Sequence, residues 1–178
     1  MPTGGGKSLC YQLPATLFDG LTLVVSPLIA LMQSQVAQLQ LLGIKAYCLN
    51  SSNSDDENKT IIEMLKSNKI KLLYIAPERL IKNETIDLLK TKKISLLAID
   101  EAHCVSQWGH DFRKEYLQLG EIRKELSMVQ TIALTATADE TTRKDIIDKI
   151  FPEKPSVFIA GFDRPNIYLS MLPKNKAK

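Results

Sequence analysis

The 178-residue chain has little of what marks several large protein classes. Cysteine is rare: Cys10, Cys48 and Cys104 are an odd count at wide spacing, which builds neither a disulfide framework nor a metal cluster. Packing in a reducing compartment is their expected role. No apolar run is long enough to span a bilayer, and no basic-then-apolar leader opens the chain. A soluble, intracellular protein is therefore expected, in cytoplasm or nucleoid if bacterial and in the nucleus if eukaryotic. Charge of one sign is scarce as well. Lys and Arg total 23 against 20 Asp and Glu, a net +3, which permits nucleic-acid binding without arguing for it. There is no internal repeat and no low-complexity linker, and only residues 174–178 read as a loose tail. What remains, 44% hydrophobic and 24% charged, is the composition of an ordinary globular domain with a real core.

Glycine is sparse too, eight in all, yet three stand together as Gly4, Gly5 and Gly6, followed by Lys7 and Ser8. Without Cβ atoms such a backbone can close around an anion, and the amino end of a following helix adds its positive pole. Residues 1–8 thus read as a phosphate-binding loop. Thr3, Gly4, Gly5 and Gly6 would line the phosphates, the Lys7 ammonium would reach them, and the Ser8 hydroxyl would serve Mg2+. Met1 stands where the full pattern has glycine, so the match is to Gly6-Lys7-Ser8 alone.

The rest alternates strand with helix. A helix is expected over Leu9 to Phe18, bent or shortened at Pro14, then a buried strand Leu21–Val25. Ser26 is expected to cap a helix with Pro27 in its first turn and Leu28, Leu31, Met32, Val36 and Leu39 on one face. Further strands are read at Ile44–Leu49, Lys71–Ile75, Ile94–Ile99, Thr131–Leu134 and Val157–Ile159. Helices are read from a capping box at Ser54–Glu57 to Lys66, near Glu84–Leu89, over Tyr116–Leu126, and from a second box at Thr137 to Ile150. Ala76 to Leu80 reads as a loop. Short connections between alternating elements imply an α/β fold, a mostly parallel sheet with helices on both faces, with ligands beyond the carboxyl ends of the strands.

One such end carries Asp100-Glu101-Ala102-His103. A carboxylate at the tip of a buried strand is placed to hold, directly or through water, the Mg2+ that Ser8 touches, and Glu101 could act as general base on a water. The bland alternative is an acidic surface turn. Two halves of one nucleotide site in one chain weigh against it.

In their order, Gly4-Gly5-Gly6-Lys7-Ser8, Asp100-Glu101-Ala102-His103 and Thr135-Ala136-Thr137 resemble a superfamily 2 helicase motor domain. Ser8 to Pro14 and the aromatic-rich stretch Cys104 to Arg113 narrow the resemblance to the RecQ family. It implies a RecA-like P-loop domain over residues 1–160, lacking the strand that precedes the P-loop, and an exit segment 161–178 toward an absent second motor domain. It also implies ATP and Mg2+ as cofactors, single-stranded and branched DNA as partners, and 3′-to-5′ DNA unwinding by the whole machine. Lys7, Asp100, Glu101 and His103 would be catalytic, with Ser8 and Asp100 on the metal. Ser26, Arg79, Trp108, Phe112 and Arg113 would touch DNA, and Gln107, Thr135 and Thr137 would couple the two sites. Several have a plainer reading: a packing anchor for Trp108, a structural histidine for His103, a surface salt bridge for Arg79, a strand end for Thr135, a helix cap for Ser26 and Thr137. Two rival functions stay open, an RNA-directed motor on the same fold and a degenerate nucleotide-binding interaction module. The fragment alone is expected to bind nucleotide weakly and not to unwind DNA.

Overall fold

The structure, a computed structural model, describes residues 4–108, 111–127, 129–160, 167–168 and 170. Five parallel strands form its sheet in the order β2-β3-β1-β4-β5: β1 Leu21–Val25, β2 Ala46–Leu49, β3 Leu72–Ile75, β4 Ile94–Ile99 and β5 Thr131–Ala133. The central strands are apolar on both faces, as a parallel sheet covered twice requires. Alternate residues sort the faces. Leu23, Val25, Leu73, Ile75, Leu97 and Ile99 enter one core, and Val24, Leu72, Tyr74, Leu96 and Ala98 the other.

The second core is covered by helices α1 (Leu9–Leu17) and α2 (Ile29–Leu41), through Tyr11, Ala15, Met32, Val36 and Leu39. The first is covered by α3 (Asp55–Lys66), α4 (Pro77–Leu80), α5 (Asn83–Lys90), α6 (Leu119–Glu125) and α7 (Glu140–Ile150). The capping box of α3 forms as the sequence indicates: Ser54 Oγ accepts from Glu57 N–H, and the Glu57 carboxylate accepts from Ser54 N–H.

Several expectations need correcting. Ser26 does not cap α2. Its N–H still donates to the Ile75 carbonyl of the neighbouring strand, Pro27 is buried, and the helix starts at Ile29. Leu28 and Leu31 are consequently exposed while Met32, Val36 and Leu39 carry the packing. Residues 77–80, read as a loop, make one helical turn with Pro77 at its start, where the missing N–H costs nothing. The helix expected from Tyr116 begins as a 3-10 stretch, Lys114–Gln118. Asp139, not Thr137, caps α7, its carboxylate accepting from Thr142 N–H at 2.7 Å. Thr137 N–H is held by Thr135 Oγ1 instead. Val157, Phe158 and Ile159 form no strand and are exposed. Their composition suits a sheet, but a strand exists only where a neighbour completes its ladder. Residues 161–166 and most of 167–178 of the expected exit segment lie outside the described residues.

Candidate functional site

Strands β1 and β4 are neighbours whose continuations leave to opposite faces, α2 to one and the 3-10 turn Ala102–Val105 with α6 to the other. Such a switch point opens a crevice at the carboxyl ends of the strands. Asp100 sits there, at the tip of β4, and its N–H donates to the Val25 carbonyl. The Tyr116 hydroxyl, buried, donates to the Asp100 carbonyl at 2.9 Å and braces the turn from below.

The two carboxyl groups are poised differently. Burial, then the adjacent Glu101 charge, pushes Asp100 above the usual carboxylate range. A hydrogen bond with His103 holds Glu101 below it, against partial burial. Glu101 has φ +48° and ψ +46°, the left-handed region that a non-glycine residue enters at a cost of about 1–2 kcal/mol. That turn folds the Glu101 side chain back to His103, with Oε2 3.2 Å from Nδ1. His103 Nδ1 is also 2.8 Å from Thr135 Oγ1, beyond the end of β5. Thr135 Oγ1 in turn donates to the Thr137 carbonyl at 3.0 Å.

The glycine turn comes to the same end of the sheet. Gly4 and Gly6 take φ of +75° and +79°, values that glycine alone adopts freely. Lys7 is close enough for its charge to draw both Asp100 and Glu101 downward. Ser8 opens α1 but makes no capping hydrogen bond with its side chain. Thr3 lies outside the described residues. The donor set suits a magnesium triphosphate: a glycine cradle, an ammonium, a hydroxyl not spent on capping, and the Asp100 carboxylate at the strand tip. Two surface cavities of about 230 and 250 Å3, around Val36 and Cys48 and around Lys90 and Leu126, do not touch Lys7, Asp100 or Glu101.

The residues expected at DNA form two groups. Ser26 and Arg79 follow the adjacent strands β1 and β3. Ser26 Oγ and Arg79 Nε are both buried with no hydrogen-bond partner, although Arg79 Nη1 is 3.5 Å from the Glu84 carboxylate. Orphaned buried polar atoms of this kind are costly. The second group lies on the loop after the acidic turn. Trp108 is 81% exposed, Phe112 and Arg113 are half-buried, and Gln107 is exposed. The loop's neck is closed by Arg113 N–H donating to the Cys104 carbonyl at 2.9 Å. Burial and the facing Asp111 carboxylate push the Cys104 thiol up to about 12, an inert packing thiol at neutral pH.

Comparison with known proteins gives this constellation its context. A family model described as DEAD/DEAH box helicase matches residues 1–146. The chain belongs to the DEAD/DEAH box helicases. Within that family it is 51% identical over 176 residues to the ATP-dependent DNA helicase RecQ of Pasteurella multocida, covering 99% of this chain and 28% of the relative. It is 45% identical to the ATP-dependent DNA helicase Q1 of Rattus norvegicus, covering 98% of this chain and 29% of the relative. The chain thus spans less than a third of the length of these relatives. In three dimensions it is similar to the Hef helicase domain of Pyrococcus furiosus, with TM-score 0.62, 18% identity, and 84% of this chain and 32% of the other covered. A hypothetical ATP-dependent RNA helicase of Sulfolobus tokodaii gives TM-score 0.62 at 22% identity, covering 86% of this chain and 45% of the other. These two likenesses establish the RecA-like helicase fold. No helix among the described residues is long and apolar enough to cross a membrane.

Sequence reasoning missed the Tyr116 brace and the part-buried hydrogen bond from Ser106 to Asp145. Asp100 and Ser106 stand in motifs, but their partners Tyr116 and Asp145 do not, and nothing local in the sequence pairs them.

Proposed function

We propose that this chain is the first motor domain of a RecQ-type DNA helicase that hydrolyses ATP with Mg2+ and moves 3′ to 5′ along one strand. The observation that carries the reading is that the Lys7 charge acts on both Asp100 and Glu101, although the two motifs are far apart in the chain. Gly4, Gly5 and Gly6 would wrap the phosphates with backbone N–H groups, and Lys7 would neutralise their outer charge. Ser8 and Asp100 would hold the ion, which supplies charge neutralisation at the transferred phosphoryl group. Glu101, oriented by its contact with His103, would take a proton from an attacking water. His103 would then report the state of Glu101 to Thr135 and Thr137, and the loop from Gln107 to Arg113 would carry it to DNA.

Ser26 and Arg79, which follow the carboxyl ends of β1 and β3, would meet backbone phosphates. Trp108 fits a base, because an indole this exposed is a stacking platform. Such a motor needs a second domain to close over the nucleotide and to move on the strand, so this chain alone should bind nucleotide weakly and separate no strands.

The test compares ATPase stimulation by single-stranded DNA and by RNA in the full-length parent. DNA should stimulate and Trp108→Ala should weaken DNA stimulation at least about tenfold, the scale of one lost stacked base. Stimulation by RNA alone would favour the RNA-directed motor. Strand displacement by the isolated chain would contradict the two-domain requirement.

A further inference from the structure

The loop bearing Trp108 is tied to a helix that no motif assigns to either site. Ser106 is fully buried, and its hydroxyl donates to Asp145 Oδ2 on α7 at 2.6 Å. Ser106 Oγ also accepts from Trp108 N–H at 3.3 Å. A hydroxyl has one proton to give and lone pairs to receive, so these two bonds fix each other's direction. Lys149, one turn further along α7, is 3.1 Å from Asp145 Oδ2 and donates to the Val105 carbonyl at 3.3 Å. Two successive residues of the loop are thereby held by two successive turns of one helix. The hydrogen bond with Ser106, then Lys149, keeps the Asp145 carboxyl below the usual range, so it is ionised where the protein works.

The same helix is reached from the nucleotide side. His103 contacts Thr135, Thr135 holds Thr137, and two residues later Asp139 caps α7. The acidic turn and the Trp108 loop are therefore both fastened to the segment from the end of β5 to α7.

We propose that Asp145 is a positioning residue: through Ser106 it fixes the backbone at Trp108, so that α7 sets the pose from which the indole meets single-stranded DNA. The indole side chain stays exposed while its own N–H is anchored, which is what a rigid stacking platform needs. The DNA part of this statement rests on the function proposed above; the anchoring part does not.

Trp108 is the chain's only tryptophan, so its fluorescence reports the loop alone. Time-resolved anisotropy is measured on the wild type, Asp145→Ala, Asp145→Asn and Lys149→Gln. Asp145→Ala should at least double the amplitude of fast local depolarisation. Asp145→Asn keeps an oxygen that accepts from Ser106 and should restore most of the loss, and Lys149→Gln should change less than Asp145→Ala. An unchanged amplitude in Asp145→Ala, or an Asn variant no better than Ala, overturns the proposal. Should Asp145→Ala fail to fold, Ser106→Ala must show the same doubling. In the full-length parent, Asp145→Ala should raise the single-stranded DNA concentration for half-maximal ATPase stimulation at least threefold and leave the DNA-free rate unchanged. If the wild-type parent is not stimulated by DNA, the functional reading fails while the anisotropy result still decides the anchoring.

Discussion

Strands β1 and β5 belong to one sheet, two places apart, and are built differently. All five residues of β1 are buried, and it pairs with β3 and β4 on its two edges. Strand β5 has three residues, each half-buried, and pairs with β4 alone among the described residues. Leu9, Leu13 and Leu17, spaced by four along α1, are exposed, as is the apolar run 157–159. An apolar, β-branched sequence is thus sufficient for a strand only where the sheet supplies partners and cover. The site draws on both regions: Asp100 ends the well-supported β4, and Thr135 follows the sparsely supported β5.

This contrast can be broken by substitution. Leu97→Ala, fully buried on β4, should cost about 3 kcal/mol in a denaturant melt, the usual loss for a core leucine. Gly20→Ala should cost about 2 kcal/mol: φ is +108°, and an added Cβ would overlap the Lys93 carbonyl oxygen where β1 begins. A neutral Gly20→Ala would show that the approach of β1 to β4 is looser than described. Leu13→Ala on the open side of α1 should lie within about 0.5 kcal/mol of wild type, and a cost like that of Leu97 would mean the leucine stripe is covered in solution.

Asp100→Asn sharpens the comparison at the site, with a smaller effect than Gly20→Ala. Burial raises the Asp100 carboxyl, so the folded chain binds this proton more tightly than the unfolded one. Its charge therefore costs stability once pH passes the unfolded value. In metal-free buffer Asp100→Asn should raise the unfolding midpoint at pH 7, and the gain should vanish as pH falls below the ordinary carboxylate range. A lower midpoint at pH 7 would show that Lys7 outweighs burial.

Much of the fold was legible because the sheet's central strands are buried runs bounded by clear stops, and because Ser54 and Glu57 announce a helix start without tertiary help. The boundaries that moved did so for tertiary reasons. Ser26 looks like a cap but is held in the ladder by Ile75, and Thr137 looks like a cap but is occupied by Thr135. Val157 to Ile159 read as a strand because composition carries no information about a missing neighbour. At the site, the glycine turn and the acidic pair stand in local motifs, whereas the left-handed turn at Glu101 and the Asp145 anchor follow from packing between distant segments.

The central claim is that Lys7 and Asp100 serve one magnesium-bound triphosphate. Equilibrium titration of the chain with ATP, with and without Mg2+, tests it directly. Binding weaker than about 1 µM, dependent on Mg2+ and weakened at least about tenfold by Lys7→Ala, is the predicted result. Equal binding by wild type and Lys7→Ala would contradict it.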